Sequence, residues 1–220
     1  MIEAEPYSQT KLFGLNKYML DLVRLFKINK LPNKILLSGQ KGIGKSTLAY
    51  HLINYILSTE EEFSYDINNF EINSENRSFK TILNRSNINF FLIDINIENK
   101  SIDINQIRDL KSKLIKTSLG DKPRFILIDN IEYLNINSIN SLLKVLEEPS
   151  ENIYFILINN NKRILKTLLS RCIEYKISLS NKENFEIANK LLDNNLDNLI
   201  NKDLLNYYFS PGNIYDIVKF

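Results

Sequence analysis

A chain of 220 residues, 44% hydrophobic and 25% charged, has the balance of a globular protein with a sizeable core, which excludes collagen-like and wholly disordered classes. Its 28 basic and 26 acidic side chains leave a formal net charge of +2 with both signs interspersed, so an autonomous nucleic-acid binder with a clustered basic face is not expected, and any DNA contact must come from a local patch or an assembly. One cysteine, Cys172, and one histidine, His51, exclude a disulfide framework and structural zinc, and leave Cys/His catalysis without a supporting signature.

No apolar run approaches the roughly 18 to 20 residues that span a bilayer. Residues 1–7, with Glu3 and Glu5, lack the basic and apolar regions of a signal peptide, so no membrane partner and a cytoplasmic location are expected.

In chain order, residues 11–26 read as an opening helix and 34–38 as a short buried strand. Gly39-Gln40-Lys41-Gly42-Ile43-Gly44-Lys45-Ser46 follows at once and satisfies G-x-x-x-x-G-K-[ST] without substitution, just before a helical pattern over 45–57 that opens Lys45-Ser46-Thr47. Three of the six glycines in the chain fall within these few positions. Phosphate binding needs them there, because successive backbone N–H groups must turn inward in conformations that a Cβ obstructs. Lys45 is then placed to approach the β- and γ-phosphates and Ser46 to ligate Mg²⁺, so the loop is expected to hold ATP or ADP with Mg²⁺.

Residues 60–86 are polar, rich in asparagine and without periodicity, and are expected to be loop and irregular structure. A strand at 90–95 precedes a helix over 105–119, whose stripe is Ile104, Ile107, Leu110, Leu114 and Ile115, with Asp103 and Gln106 as a capping box at its start. The strand at 125–129 ends in Asp129, where a Walker B motif places a Mg²⁺-associated carboxylate. Many such sites carry Glu at the next position to polarise the attacking water. Asn130 stands there and cannot accept a proton, so hydrolysis by this site alone is expected to be slow or absent.

A helix over 136–146 presents Ile139, Leu142, Leu143 and Leu146 on one stripe and is closed by Pro149. Strands at 153–158 and 172–177 follow, then helices at 184–192, 196–207 and 214–219. Strands alternating with helices predict an α/β fold with a five-stranded parallel sheet covered on both faces, over residues 1–177, followed by a small helical lid domain over 178–220.

Three further stretches carry a resemblance: Asn140-Ser-Leu-Leu-Lys-Val-Leu-Glu-Glu-Pro149, Ser170-Arg171-Cys172, and Ser101-Ile-Asp-Ile-Asn-Gln-Ile-Arg-Asp-Leu110. Together with the phosphate loop they resemble the bacterial DNA polymerase III clamp-loader subunits, members of the AAA+ P-loop ATPases, over most of residues 11–177. Among those subunits the stretch Leu31 through Ser46 is most similar to delta-prime.

The resemblance implies a role in DNA replication: assisting ATP-dependent loading of the sliding clamp onto primer-template DNA, in an assembly with gamma/tau and delta subunits. It implies that Arg171 is an arginine finger acting in trans on ATP of a neighbouring subunit, for which a permanently charged, forked guanidinium is suited. It places the sensor 1 polar residue at the end of the fourth strand, at Asn159 or Asn160, and sensor 2 in Ser210-Pro-Gly-Asn213, where Asn213 replaces the family's arginine.

Asn130 and Asn213 both point to a subunit with little intrinsic ATPase. The other reading is an ATP-hydrolysing motor of the gamma/tau type, using Lys45, Ser46 and Asp129 for its own turnover. A cysteine-rich zinc module inserted in many relatives has no counterpart in 60–86, and no sequence beyond Phe220 supplies a C-terminal collar domain, so a fragment or a reduced homologue is expected.

Overall fold

The computed structural model describes residues 5–96, 100–115, 122–148, 152–192, 196 and 208–219. In chain order the elements are α1 (Asn16–Lys27), β1 (Lys34–Ser38), α2 (Lys45–Leu57), α3 (Arg77–Leu83), β2 (Phe90–Ile93), α4 (Ile104–Ile115), β3 (Arg124–Ile128), a 3₁₀ turn (Ile131–Tyr133), α5 (Ile136–Glu147), β4 (Ile153–Asn159), α6 (Lys166–Leu169), β5 (Ile173–Lys176), α7 (Asn181–Leu192) and α8 (Pro211–Lys219). No helix among the described residues is long and apolar enough to cross a membrane. The chain forms two compact units with interleaved segments. One comprises Lys30–Ser38 and Asn84–Lys176; the other comprises Met1–Asn29, Gly39–Leu83 and Ile177–Phe220.

The first unit contains the whole sheet, all parallel, in the order β2-β3-β4-β1-β5. Its central strands are continuous apolar runs, as a sheet buried on both faces requires, and all five residues of β3 are buried. Leu36, Ile93, Ile126, Ile128, Phe155 and Leu157 share one core with Ile107 and Leu110 of α4, Leu142, Val145 and Leu146 of α5, and Leu168 of α6. Of the expected stripes, Ile107, Leu110, Leu142 and Leu146 lie in this core, with Leu114, Ile139 and Leu143 at its margin. Burial of each large aliphatic side chain contributes about 1.5 to 3 kcal/mol.

α4 starts where its capping box predicts. Gln106 Oε1 accepts the Asp103 N–H at 2.9 Å, and Asp103 Oδ1 accepts the N–H groups of Asn105 at 2.7 Å and Gln106 at 3.2 Å. Residues 116–119 of the expected helix lie outside the described residues, as do Pro149 and, apart from Leu196, the helix expected at 196–207.

The second unit holds α1, α2, α3, α7 and α8. α1 begins at Asn16 rather than at residue 11, because Thr10 to Leu12 are extended: the Leu12 N–H donates to the Phe70 carbonyl at 3.0 Å and the Ile72 N–H to the Thr10 carbonyl at 2.8 Å. Nor is 60–86 wholly irregular. α3 lies within it, burying Phe79 and Ile82. Seven residues are too few to display a period, and the anchor is tertiary. Buried Asn76 accepts the Phe79 N–H at 2.7 Å and donates to the Phe63 carbonyl at 2.8 Å, while Asn54 of α2 donates to it at 3.1 Å. α7 and α8 pack around Ala188, Leu196 and Ile214.

Candidate functional site

β1 ends at Ser38, paired with Asn159 of β4, and the chain passes directly into the phosphate-loop sequence. Within the loop Gly42 and Gly44 have φ of +82° and +90°, a region that L side chains rarely adopt, so glycine is required at both. Lys45 is 3% exposed, and its ammonium donates to the carbonyls of Gly39 at 2.9 Å and Gln40 at 2.6 Å. The ammonium is thus held by two carbonyls of its own loop. Ile43 is buried, Gln40 and Lys41 are exposed, and Ser46 and Thr47 are half-buried in the first turn of α2. The N-cap of α2 is Gly44, which has no side chain to accept from the first-turn N–H groups, and that turn holds no acidic residue. Nothing on the helix neutralises its positive end. These features fit a phosphate group.

The loop is also buttressed. The Gly212 N–H donates to the Gly42 carbonyl at 2.9 Å. Gly212 belongs to the Ser210-Pro-Gly-Asn213 turn that opens α8, in which the Ser210 hydroxyl donates to Asn213 Oδ1 at 2.5 Å. The side-chain oxygen of Asn213 is engaged inside its own turn.

In the sheet unit, the C-terminal ends of β2, β3 and β4 carry a polar network. Asn130, at φ +55°, donates from Nδ2 to Asp94 Oδ1 at 2.8 Å and accepts at Oδ1 from Asn160 Nδ2 at 2.8 Å. Asn160 Nδ2 also donates to Glu132 Oε1 at 2.9 Å. Asp129 accepts the Asn130 N–H at Oδ1, 2.7 Å away. Asn159 is turned elsewhere: its Nδ2 donates to the Lys162 carbonyl at 2.9 Å, and its Oδ1 accepts the Lys162 N–H at 3.2 Å. Of the two adjacent asparagines, it is Asn160 whose side chain meets the Walker B segment. Among the described residues, no three His, Cys, Asp or Glu side chains converge as metal ligands.

Arg171 follows α6, its side chain one-third exposed. Its Nε donates to Glu147 Oε1 at 3.0 Å, its Nη2 donates to the same oxygen, and its Nη1 donates to the Thr167 carbonyl at 2.8 Å. Adjacent Cys172 packs against the apolar core, and burial pushes its thiol up to about 11, so it stays protonated at neutral pH.

Sequence pattern alone does not single out Asp94, Glu132 or Glu147. A signal for Asp94 exists: Phe91-Leu-Ile-Asp94 repeats, one strand earlier, the apolar run ending in acid at Leu127-Ile-Asp129. Glu132 carries no such mark, and Glu147, although within the 140–149 stretch, has no local pattern that pairs it with Arg171.

The family model described as "DNA polymerase III, delta subunit" matches residues 14–181. The chain belongs to this family. A delta' subunit of DNA polymerase III from Buchnera aphidicola subsp. Schizaphis graminum is 30% identical over 182 residues, covering 82% of this chain and 53% of the relative. A gamma subunit of DNA polymerase III from the same organism is 31% identical over 180 residues, covering 81% and 47%. The chain spans about half the length of these curated relatives. A solved gamma subunit-related protein of Thermotoga maritima superposes with a TM-score of 0.53 at 19% identity, covering 80% of this chain and 55% of that one, a likeness of fold. This member of the delta family therefore has the five-stranded parallel sheet flanked by helices that the sequence predicts, a fold it shares with that protein.

Proposed function

We propose that the chain is a delta-prime-like subunit of a DNA polymerase III clamp loader. In this reading it joins gamma/tau and delta subunits in loading a sliding clamp onto primer-template DNA, and it completes a neighbour's ATP site with Arg171 while turning over little ATP itself. The loop from Gly39 to Thr47 binds the phosphates of ATP or ADP, with Lys45 as the charge that meets them. Ser46 is the hydroxyl, and Asp129 the carboxylate, assigned to Mg²⁺. When bound, the metal screens phosphate charge.

The observation that carries the reading is the state of Asn130. Both ends of its amide are hydrogen-bonded, to Asp94 and to Asn160, at the position where a hydrolysing relative needs a base. Asn213 supports it, since an amide closed on Ser210 brings no guanidinium to read the terminal phosphate. The gamma/tau motor reading has its own support in the near-equal identity to the Buchnera gamma subunit.

Steady-state hydrolysis by the chain alone separates the two. Negligible turnover at saturating Mg-ATP supports the delta-prime reading, and brisk turnover supports the motor. The trans role is tested by mixing the chain with ATPase-competent partner subunits. Arg171→Ala is expected to assemble yet lower partner turnover by about 10³-fold or more, and unchanged partner turnover would end the trans assignment.

A further inference from the structure

Arg171 is held by two elements at once. From α5, the Glu147 carboxylate takes the Nε and Nη2 edge of the guanidinium through one oxygen; from α6, the Thr167 carbonyl takes Nη1. The Ser170 hydroxyl lies 3.5 Å from Nη1, at the outer limit of a hydrogen bond. A guanidinium has five N–H donors in a fixed plane. Three are engaged in short contacts, and the side chain remains one-third exposed.

The two acids that close α5 divide their work. Glu148 turns to Lys111 of α4, with Oε1 2.5 Å from Nζ, and leaves Glu147 to Arg171. Between residues 152 and 173 the sequence has no acid, while Lys162, Arg163, Lys166 and Arg171 are all basic. The anchor of this arginine therefore comes from a different helix of the sheet unit.

We infer that Glu147 is the positioning residue for Arg171, fixing the plane of the guanidinium so that its remaining N–H groups face outward in one orientation. The inference rests on the trans role proposed above. A free arginine loses much rotamer freedom each time it engages a phosphate, whereas one already fixed by Glu147 and Thr167 loses little. Orientation of this kind acts on the reacting state rather than on capture of nucleotide, so it shows in kcat and not in KM. Glu147 touches no substrate; its effect passes wholly through Arg171.

The experiment measures ATP turnover by gamma-type partner subunits in complex with wild type, Arg171→Ala, Glu147→Ala or Glu147→Gln. Glu147→Ala is expected to lower partner kcat by about tenfold with KM for ATP within about twofold. Glu147→Gln keeps an amide oxygen for Nε and Nη2 and is expected to restore kcat to within about threefold of wild type. If Arg171→Ala lowers turnover but Glu147→Ala matches or exceeds wild type, the positioning role is overturned and the trans role stands. Equal losses in Glu147→Ala and Glu147→Gln would overturn it too, since acceptor geometry survives in glutamine. No effect of Arg171→Ala would overturn both.

Discussion

Gly42 and Gly212 meet backbone to backbone: a Cβ added at Gly212 falls 2.9 Å from Gly42 Cα, and one added at Gly42 falls 2.5 Å from Ser210 Oγ. The phosphate loop and the first turn of α8, far apart in sequence, are joined by the hydrogen bond between these two residues. A perturbation of either glycine reaches the other's segment.

Gly212→Ala must displace backbone rather than a flexible side chain, and overpacking of that kind costs about 1 to 3 kcal/mol. The variant is expected to melt at lower temperature and to bind ATP more weakly. Asp21→Ala, at an exposed position of α1 outside the loop, is expected to do neither. Thermal melting with and without nucleotide checks both.

Lys45→Met keeps the apolar stem in its buried place and removes the ammonium that Gly39 and Gln40 hold. Loss of a charge-assisted contact to phosphate is expected to weaken ATP binding by about 10- to 100-fold. Equilibrium titration with labelled nucleotide checks this, and unchanged affinity would remove the loop from the binding account.

Asn130→Asp replaces the Nδ2 donor by an oxygen facing Asp94 Oδ1, which is 2.8 Å from that nitrogen in the native side chain. Two carboxylates that close repel, and one must hold a proton. The variant is expected to lose about 1 to 3 kcal/mol at pH 7, and the deficit should shrink as pH falls toward 4 and the pair takes up that proton. Denaturant unfolding at several pH values checks it; a deficit independent of pH would show that the network tolerates a second charge. Hydrolysis is expected to stay negligible, because one oxygen of the new carboxylate is held by Asn160 and the other faces Asp94.

His51 on α2 is fully buried, its Nδ1 2.8 Å from the Tyr65 hydroxyl. Burial lowers its pKa to about 4 from the ordinary 6.5, with the Gln9 backbone opposing the shift to a smaller degree. The unfolded chain thus binds a proton between pH 6.5 and 4 that the folded chain refuses. Stability is full above about pH 6.5 and falls as pH drops, by about 3 kcal/mol at pH 4. His51→Gln keeps a polar side chain without titrating, so its stability should vary less with pH across that window. Parallel pH dependence in the two proteins would assign the effect to other groups.

Local signals were enough for much of this molecule. The phosphate loop, the boundaries of α2, the apolar stripes of α4 and α5, the Asp103 and Gln106 cap and the five strands of the sheet are all legible in sequence, because each depends on residues within a turn or two or on an unbroken apolar run. α3 is not, since seven residues show no period and are held by Glu61 and by Asn76, itself fixed by Asn54 and Phe63.

Which of two neighbouring asparagines faces Asn130 was equally illegible. Asn159 ends β4 and is drawn into the turn at Lys162, while Asn160 reaches across to the adjacent strand end, and only strand register and the turn that follows decide between them. Glu147 and Arg171, 24 residues apart, follow the same logic. A sequence determines what its near neighbours can do to one another; which distant side chains come within 3 Å depends on how sheet and helices pack, and pairings of that range leave no periodic trace in the chain.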